Sequence, residues 1–302
     1  MNYRITHTTR YTYEGKVSLC HNETRLTPKT IGAQICTNSI ISVDPWPKLI
    51  NERTDFFGNV THYFSIEKPH HELTVTAVSY VTTAKTNYQL GISESLSWEA
   101  AINQINVHGL EYMDERQYLF DSPLINSLAE VEAYAAKSFL PNRPIFEVVH
   151  DLMNRIHEEF DFVPGFTNVT TLLTEVMKER KGVCQDFAHL GIACLRAMGL
   201  PARYVSGYIE TLPPPGKEKL IGADASHAWF SVFVPDTGWL DFDPTNNQMI
   251  NSKYITVAYG RDYSDVVPLK GVIFSSGLHN LEISVDVMNM DAGVKAETTT
   301  TT

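Results

Sequence analysis

Polar and apolar residues alternate along much of the first 90 positions. Tyr3-Arg4-Ile5-Thr6-His7-Thr8 keeps that rhythm, and Thr9 to Tyr13 carries it to a turn signal at Glu14-Gly15. Ser39 to Val43, Thr61 to Ile66 and Leu73 to Val78 are further β-rich runs bounded by turn residues. A period of two with no long helical pattern predicts short strands, and several of them predict a β-sandwich. Asp55-Phe56-Phe57-Gly58-Asn59 reads as a tight turn between two such strands.

Residues 91 to about 122 are irregular and charged, and the domain connection is placed there. After Pro123 the period changes. Leu124 to Leu140 and Ile145 to Phe160 carry apolar residues three and four apart, which predicts helices, and Thr171 to Arg180 predicts a shorter one. Cys184 to Met198 is apolar on much of its circumference, as a central buried helix would be, and it stops at Gly199 with Pro201 just beyond. Strand patterns then return at Ala202 to Ile209, Ala228 to Val234, Trp239 to Asp243 and Tyr254 to Ala258. Val272 to Phe274 and Leu281 to Val287 complete this second set. Leu212 to Lys219, with three prolines and a glycine, reads as a loop. Helices followed by an antiparallel sheet make an α+β arrangement. The expected organisation is a sandwich over residues 1–95, a helix-and-sheet domain over 96–290 and a disordered threonine-rich tail over 291–302.

The formal net charge of -11 argues against a nucleic-acid partner, because phosphate contact needs a basic face. No apolar run approaches the length that spans a membrane, and Met1 to Gly15 has no signal-peptide core, so a cytoplasmic location without membrane contact is expected. Cys20, Cys36, Cys184 and Cys194 have no paired metal-ligand spacing and are too sparse for a disulfide scaffold, which favours free thiols. His-Glu-x-x-His, Gly-x-Ser-x-Gly and phosphate-loop motifs are missing, and no metal or cofactor is expected.

Three short stretches carry candidate chemistry. In Gly182-Val183-Cys184-Gln185-Asp186-Phe187-Ala188 a cysteine opens the central helix. Unpaired backbone N–H groups there favour a thiolate and could hold the oxyanion of an acyl-transfer intermediate. Gly182 leaves room for another chain, such as a substrate, to approach. Taken alone, Cys184 reads first as a small buried apolar residue. His189 lies about 140° around the helix from Cys184 at ~100° per residue, which excludes a Cys/His metal pair on this helix. In Ser226-His227-Ala228-Trp229-Phe230 a histidine opens an apolar strand. It is a structural residue if isolated and a proton acceptor if a cysteine nucleophile is near. Gly238-Trp239-Leu240-Asp241-Phe242-Asp243-Pro244-Thr245 supplies two acids on one strand face, and local geometry does not choose between Asp241 and Asp243 as a partner for an imidazole.

Gly-x-Cys-x-Asp-x-Ala, then His-Ala-Trp, then Gly-Trp-x-x-x-Asp-Pro-Thr, in that order, resembles the transglutaminase-like superfamily. The resemblance implies a catalytic triad of Cys184, His227 and Asp243, the acid before Pro-Thr. It implies a papain-like or transglutaminase-like cysteine-enzyme core preceded by the β-domain of bacterial members. The Asp55–Asn59 segment and Gly260-Arg261-Asp262-Tyr263-Ser264-Asp265-Val266 look like parts of that subfamily. Gln185, Trp229 and Tyr263 join Gly182 as candidates for lining a substrate groove. The implied activity is cysteine-dependent acyl transfer on a peptide or protein amide through a thioester, by hydrolysis or by transfer to an amine. A non-enzymatic binding module on the same fold is the alternative. The calcium loops of animal transglutaminases have no counterpart here, no tryptophan occurs between Ala101 and Val183, and the glutamine that precedes the cysteine in papain-like enzymes is missing.

Overall fold

The computed structural model describes residues 1–85, 96–211, 224 and 226–291. The expected loop at Leu212–Lys219 and the tail beyond Asp291 lie outside the described residues. Six strands come first: β1 (Asn2–Val17), β2 (Leu19–Thr24), β3 (Gln34–Asp44), β4 (Leu49–Thr54), β5 (Val60–Ile66) and β6 (His70–Thr83). The alternation along β1 translates directly into burial: Tyr3, Ile5, His7 and Thr9 are buried while their neighbours face outward. The expected turn at Glu14-Gly15 is instead a register shift inside this one long strand, between Thr12 and Val17. The Asp55–Asn59 turn forms as read, joining β4 to β5. Asp55 Oδ1 accepts from the backbone N–H groups of Phe57 and Asn59, and Gly58 takes the left-handed φ of 74° that suits a residue without a Cβ.

The helical part begins earlier than the sequence suggested. α1 (Trp98–Val107) occupies the stretch read as irregular, capped by the Ser97 side chain. It buries only Ala101 and Ile105, too narrow a stripe to give a helical signal. After α2 (Met113–Arg116) comes α3 (Ala129–Ala136), shorter than the periodicity over 124–140 predicted. α4 (Ile145–Glu159) follows, then the two-residue strands β7 (Asp161–Phe162) and β8 (Lys181–Gly182) either side of α5 (Leu173–Glu179), and then α6 (Cys184–Ala197). Every residue of α6 from Asp186 to Arg196 is buried, so the helix is central as expected. It packs on an antiparallel sheet made by β9 (Ala202–Ile209), β10 (Ser226–Val234), β11 (Gly238–Asp243), β12 (Gln248–Met249) and β13 (Tyr254–Gly260), in the order β12-β11-β10-β9-β13. Contact is close: a Cβ on Gly191 of α6 would stand 2.5 Å from the Phe230 ring of β10.

α7 (Tyr263–Val266) leads to β14 (Leu269–Phe274) and β15 (His279–Asn289). These last two strands do not join the second sheet, as their position in the chain suggested. β15 pairs with β1 from Tyr3 opposite Asn289 to Tyr13 opposite His279, and β14 pairs with β2. They complete two four-stranded sheets, β15-β1-β6-β3 and β14-β2-β5-β4, which close on a core that includes Val17, Phe64, Ile66, Leu73, Val75 and Leu269. The physical reason is that β1 and β2 present unpaired backbone edges that only an added strand can satisfy. The opposite end of β1 belongs to another core. Tyr3 and Ile5, with Val285 and Val287 of β15, pack in the cluster that contains α4 and α6.

Candidate active site

The turn into α6 is built around Asp186. Its Oδ2 accepts from the Val183 backbone N–H at 2.7 Å and from the Thr167 hydroxyl at 2.6 Å. An acid three residues into a helix that reaches back to the cap residue fixes the first turn, and here it sets the backbone on which Cys184 begins the helix. Burial raises the Asp186 carboxyl, against the hydrogen bonds from Thr167 and Val183. Gly182 is required by the same arrangement. A Cβ there would lie 2.8 Å from the Asp186 Cβ, so the space it leaves is filled from within the protein and not by an incoming chain.

The register of β10 against β11, Phe230 opposite Phe242, brings His227 and Asp243 to adjoining strand ends. His227 Nε2 and Asp243 Oδ2 are 2.7 Å apart, with the imidazole nearly buried and the carboxylate fully so. Asp243 collects further donors: the Tyr254 hydroxyl at 2.6 Å, Asn246 Nδ2 at 2.7 Å and the backbone N–H groups of Thr245 and Asn246 at 2.9 and 3.2 Å. Burial alone would raise this carboxyl, but His227 first, then Tyr254 and Asn246, bring it below the usual aspartate range. On the imidazole, burial opposes the charge, yet the hydrogen bonds to Asp243 and Cys184 outweigh it and push its pKa up to about 10. With Nε2 committed to Asp243, Nδ1 is the ring nitrogen left for the Cys184 thiol. The structure therefore gathers Cys184, His227 and Asp243 at one point.

Asp241 stands apart from this group. Its Oδ1 is buried and unpartnered, and burial raises its carboxyl, opposed first by Arg203. Of the groove candidates, Gln185 is half-buried beside Cys184. Trp229 is fully buried on the sheet face away from α6, edge-on to Tyr254 at 5.4 Å in a small cluster with Val205 and Tyr259, and lines no surface groove. Tyr263 is half-buried. Its backbone N–H donates to His189 Nε2 at 3.1 Å, and its ring lies 6.2 Å from that of Tyr204, which also neighbours Cys184.

Two participants escaped the sequence reading. Tyr254 lies on β13, a strand that pairs with β9 and not with β11, so no local pattern links it to Asp243. Asn246 was within reach of inference: it follows Asp243 by three residues, where an aspartate turn folds the chain back on its own carboxylate.

Similarity to known proteins is consistent along the chain. Residues 3–82 match the family model for the bacterial transglutaminase-like N-terminal region, and residues 133–244 match that of the transglutaminase-like superfamily. An uncharacterized protein of Mycobacterium tuberculosis is 42% identical over 293 residues, covering 95% of this chain and 92% of that one. A protein-glutamine gamma-glutamyltransferase of Pseudomonas aeruginosa is 36% identical over 92 residues, 30% of this chain and 14% of that one. A crystal structure from Cytophaga hutchinsonii, provisionally named a cysteine protease, superposes with a TM-score of 0.75 at 22% identity, covering 96% of this chain and 92% of that one.

Proposed function

Because this chain belongs to the transglutaminase-like superfamily, we propose that it is a thiol enzyme in which Cys184 attacks the carbonyl carbon of a peptide or side-chain amide. The observation that carries this reading is the buried His227–Asp243 pair at 2.7 Å with Cys184 against the same imidazole. An imidazolium held to about pH 10 is the counter-ion that a Cys184 thiolate needs. Attack by the thiolate forms a C–S bond and moves the carbonyl electrons onto oxygen. In this reading the unpaired N–H groups at the start of α6 are the donors to that oxygen. The tetrahedral species collapses, the C–N bond breaks, and His227 gives its proton to the departing amine, leaving a thioester and a neutral imidazole. His227 then takes a proton from the acceptor as it adds, and the C–S bond breaks to restore the thiolate. Asp243 orients the ring throughout and stabilises its charged form.

Water as acceptor gives hydrolysis, and an amine gives amide exchange. Hydrolysis is the primary reading. Amide exchange is favoured by the likeness over 92 residues to a protein named as a glutamyltransferase. The test is a library of peptide amides incubated with the protein with and without a primary amine. Ammonia release without the amine, lost in Cys184→Ala, supports hydrolysis, and product incorporating the amine supports exchange. If no amide turns over with either acceptor while the protein still captures peptides, the non-enzymatic binding reading takes its place.

A further inference from the structure

A cavity of about 460 Å³ lies on the face of the second sheet that points away from α6, roofed by the Ile31–Gln34 turn and by Thr83-Ala84 at the end of β6. Its walls carry two charged side chains of opposite sign, Arg203 and Asp241, which act on each other electrostatically without closing a direct ion pair. Arg203 lays its guanidinium over the rings of Tyr259 and Trp239, 3.6 and 4.1 Å from their centroids. Among the described residues it closes no ion pair, and its Nε is buried without a hydrogen-bond partner. A guanidinium stacked on aromatic rings keeps its in-plane N–H edge free, the geometry that receives a carboxylate. Lys29 also lies over the Tyr259 ring, 5.0 Å from its centroid. Burial lowers its ammonium to about 8, with Asp55 opposing and Arg203 adding to the shift.

Asp241 faces the same cavity. It is 9% exposed, and its Oδ1 has no hydrogen-bond partner. Trp229 Nε1 and Ser231 Oγ lie beside the carboxyl group, but neither closes a bond of proper geometry with it, and both are themselves buried and unpartnered. Leaving a buried carboxylate oxygen unpaired is destabilising. Such groups are found satisfied by protein, water or a ligand. Tyr254 forms the wall nearest the catalytic group and spends its hydroxyl on Asp243, so the cavity and the triad share a side chain without sharing an opening through Cys184.

We propose that this cavity is a binding site for a small zwitterion of the free α-amino acid class, with its carboxylate on the edge of Arg203 and its ammonium on Asp241. The site is separate from the Cys184 centre, and its occupancy does not depend on whether Cys184 turns over an amide. The presence of both charges is what distinguishes such a ligand from a simple anion or a simple amine, each of which meets only one of the two groups and leaves the other unpaired.

The test is calorimetric titration of the full chain with L-alanine, acetate and ethylammonium chloride as probes, followed by backbone amide shift mapping with L-alanine. L-Alanine is expected to bind about 10-fold or more tightly than either single-charge probe, one such factor corresponding to about 1.4 kcal/mol. Shifts should concentrate at Gln34, Trp239, Asp241 and Tyr259. Asp241→Asn, which keeps size and shape, should reduce L-alanine affinity to that of acetate, and Arg203→Met should remove acetate binding as well, both with an unchanged circular dichroism spectrum. Binding of L-alanine no tighter than acetate, undiminished binding by Asp241→Asn, or shifts centred on Cys184 and Gln185 would each overturn the proposal. A misfolded Arg203→Met would leave the decision with Asp241→Asn and the shift map.

Discussion

Two acids two residues apart on one strand differ completely in their surroundings. Asp243 accepts from His227, Tyr254 and Asn246, while Asp241 has a bare oxygen and a stacked arginine for company. Asp243→Asn should fold normally and lose about 10²-fold or more in amide turnover, since the amide cannot stabilise the imidazolium. Asp241→Asn should lose far less. Steady-state kinetics on both variants decides, and the reverse ranking would move the orienting role to Asp241. The pH range follows from the same contacts. His227 is raised to about 10, so the stability its charged form contributes is complete below its ordinary 6.5 and is lost as pH rises through about 10. Asp243 is lowered, so its contribution is present above the ordinary aspartate range and is lost as pH falls through its depressed value. Tyr254→Phe removes the shortest donor to Asp243, lets that carboxyl rise toward its ordinary range and should bring the acid limit of activity to higher pH while leaving the neutral-pH rate within about 10-fold of wild type. A pH–rate profile identical to wild type would show that Tyr254 does not tune the pair.

At the scale of elements, the start of α6 depends on a space that only glycine leaves. Gly182→Ala puts a Cβ 2.8 Å from Asp186 and should cost about 1–3 kcal/mol while displacing the first turn, so Cys184 reactivity should fall more than stability does. Chemical denaturation and thiol labelling of the same variant separate the two effects, and an unaffected labelling rate would free Cys184 from dependence on that turn. α6 itself was plain in the sequence because it is apolar nearly all round and ends in Gly199. α1 was not, because two buried residues in ten give no clear periodic signal. Acid sensitivity belongs to this scale too. His7 of β1 bonds the Tyr208 hydroxyl of β9, and His189 of α6 receives the Tyr263 N–H, both with pKa lowered by burial to about 4. The unfolded chain takes up these protons near pH 6.5 and the fold resists them until about 4. Stability should therefore fall from pH 6.5 toward 4 by about 1.4 kcal/mol per pH unit for each proton. Urea titrations across that range check it, and a flat profile would contradict the buried neutral state of both rings.

Across the whole molecule, the first and last described strands meet. β14 and β15 supply edge strands to the two N-terminal sheets, and β15 also adds Val285 and Val287 to the core around α6. Alternation identified these segments as strands but said nothing of which edge they join, because pairing partners depend on how the intervening residues fold back. The three motif blocks were legible for the opposite reason: each is local, and their order resembles that of the transglutaminase-like superfamily, although the residues alone left Asp241 and Asp243 open. Tyr254 and the Arg203–Asp241 cavity arise only once β13, β9 and β11 lie in one sheet. A chain ending at Pro268 would leave β1 and β2 with open edges and lose Leu269, Val285 and Val287 from the interior, so it should show no cooperative thermal transition. A sharp calorimetric peak from that shortened chain would show that the sheets stand without their last strands. Among the described residues no helix is long and apolar enough to cross a membrane.

The most direct test of the account is the rate at which iodoacetamide alkylates each thiol near pH 7, followed by peptide mapping. Burial raises Cys20, Cys36 and Cys194 alike, which suppresses their thiolates, whereas Cys184 is half-buried at a helix start against an imidazolium. Cys184 should be labelled first, and His227→Ala should slow that labelling by about 10-fold or more without exposing the other three. Labelling of Cys36 ahead of Cys184, or a Cys184 rate indifferent to His227, would contradict the assignment of Cys184 as the nucleophile.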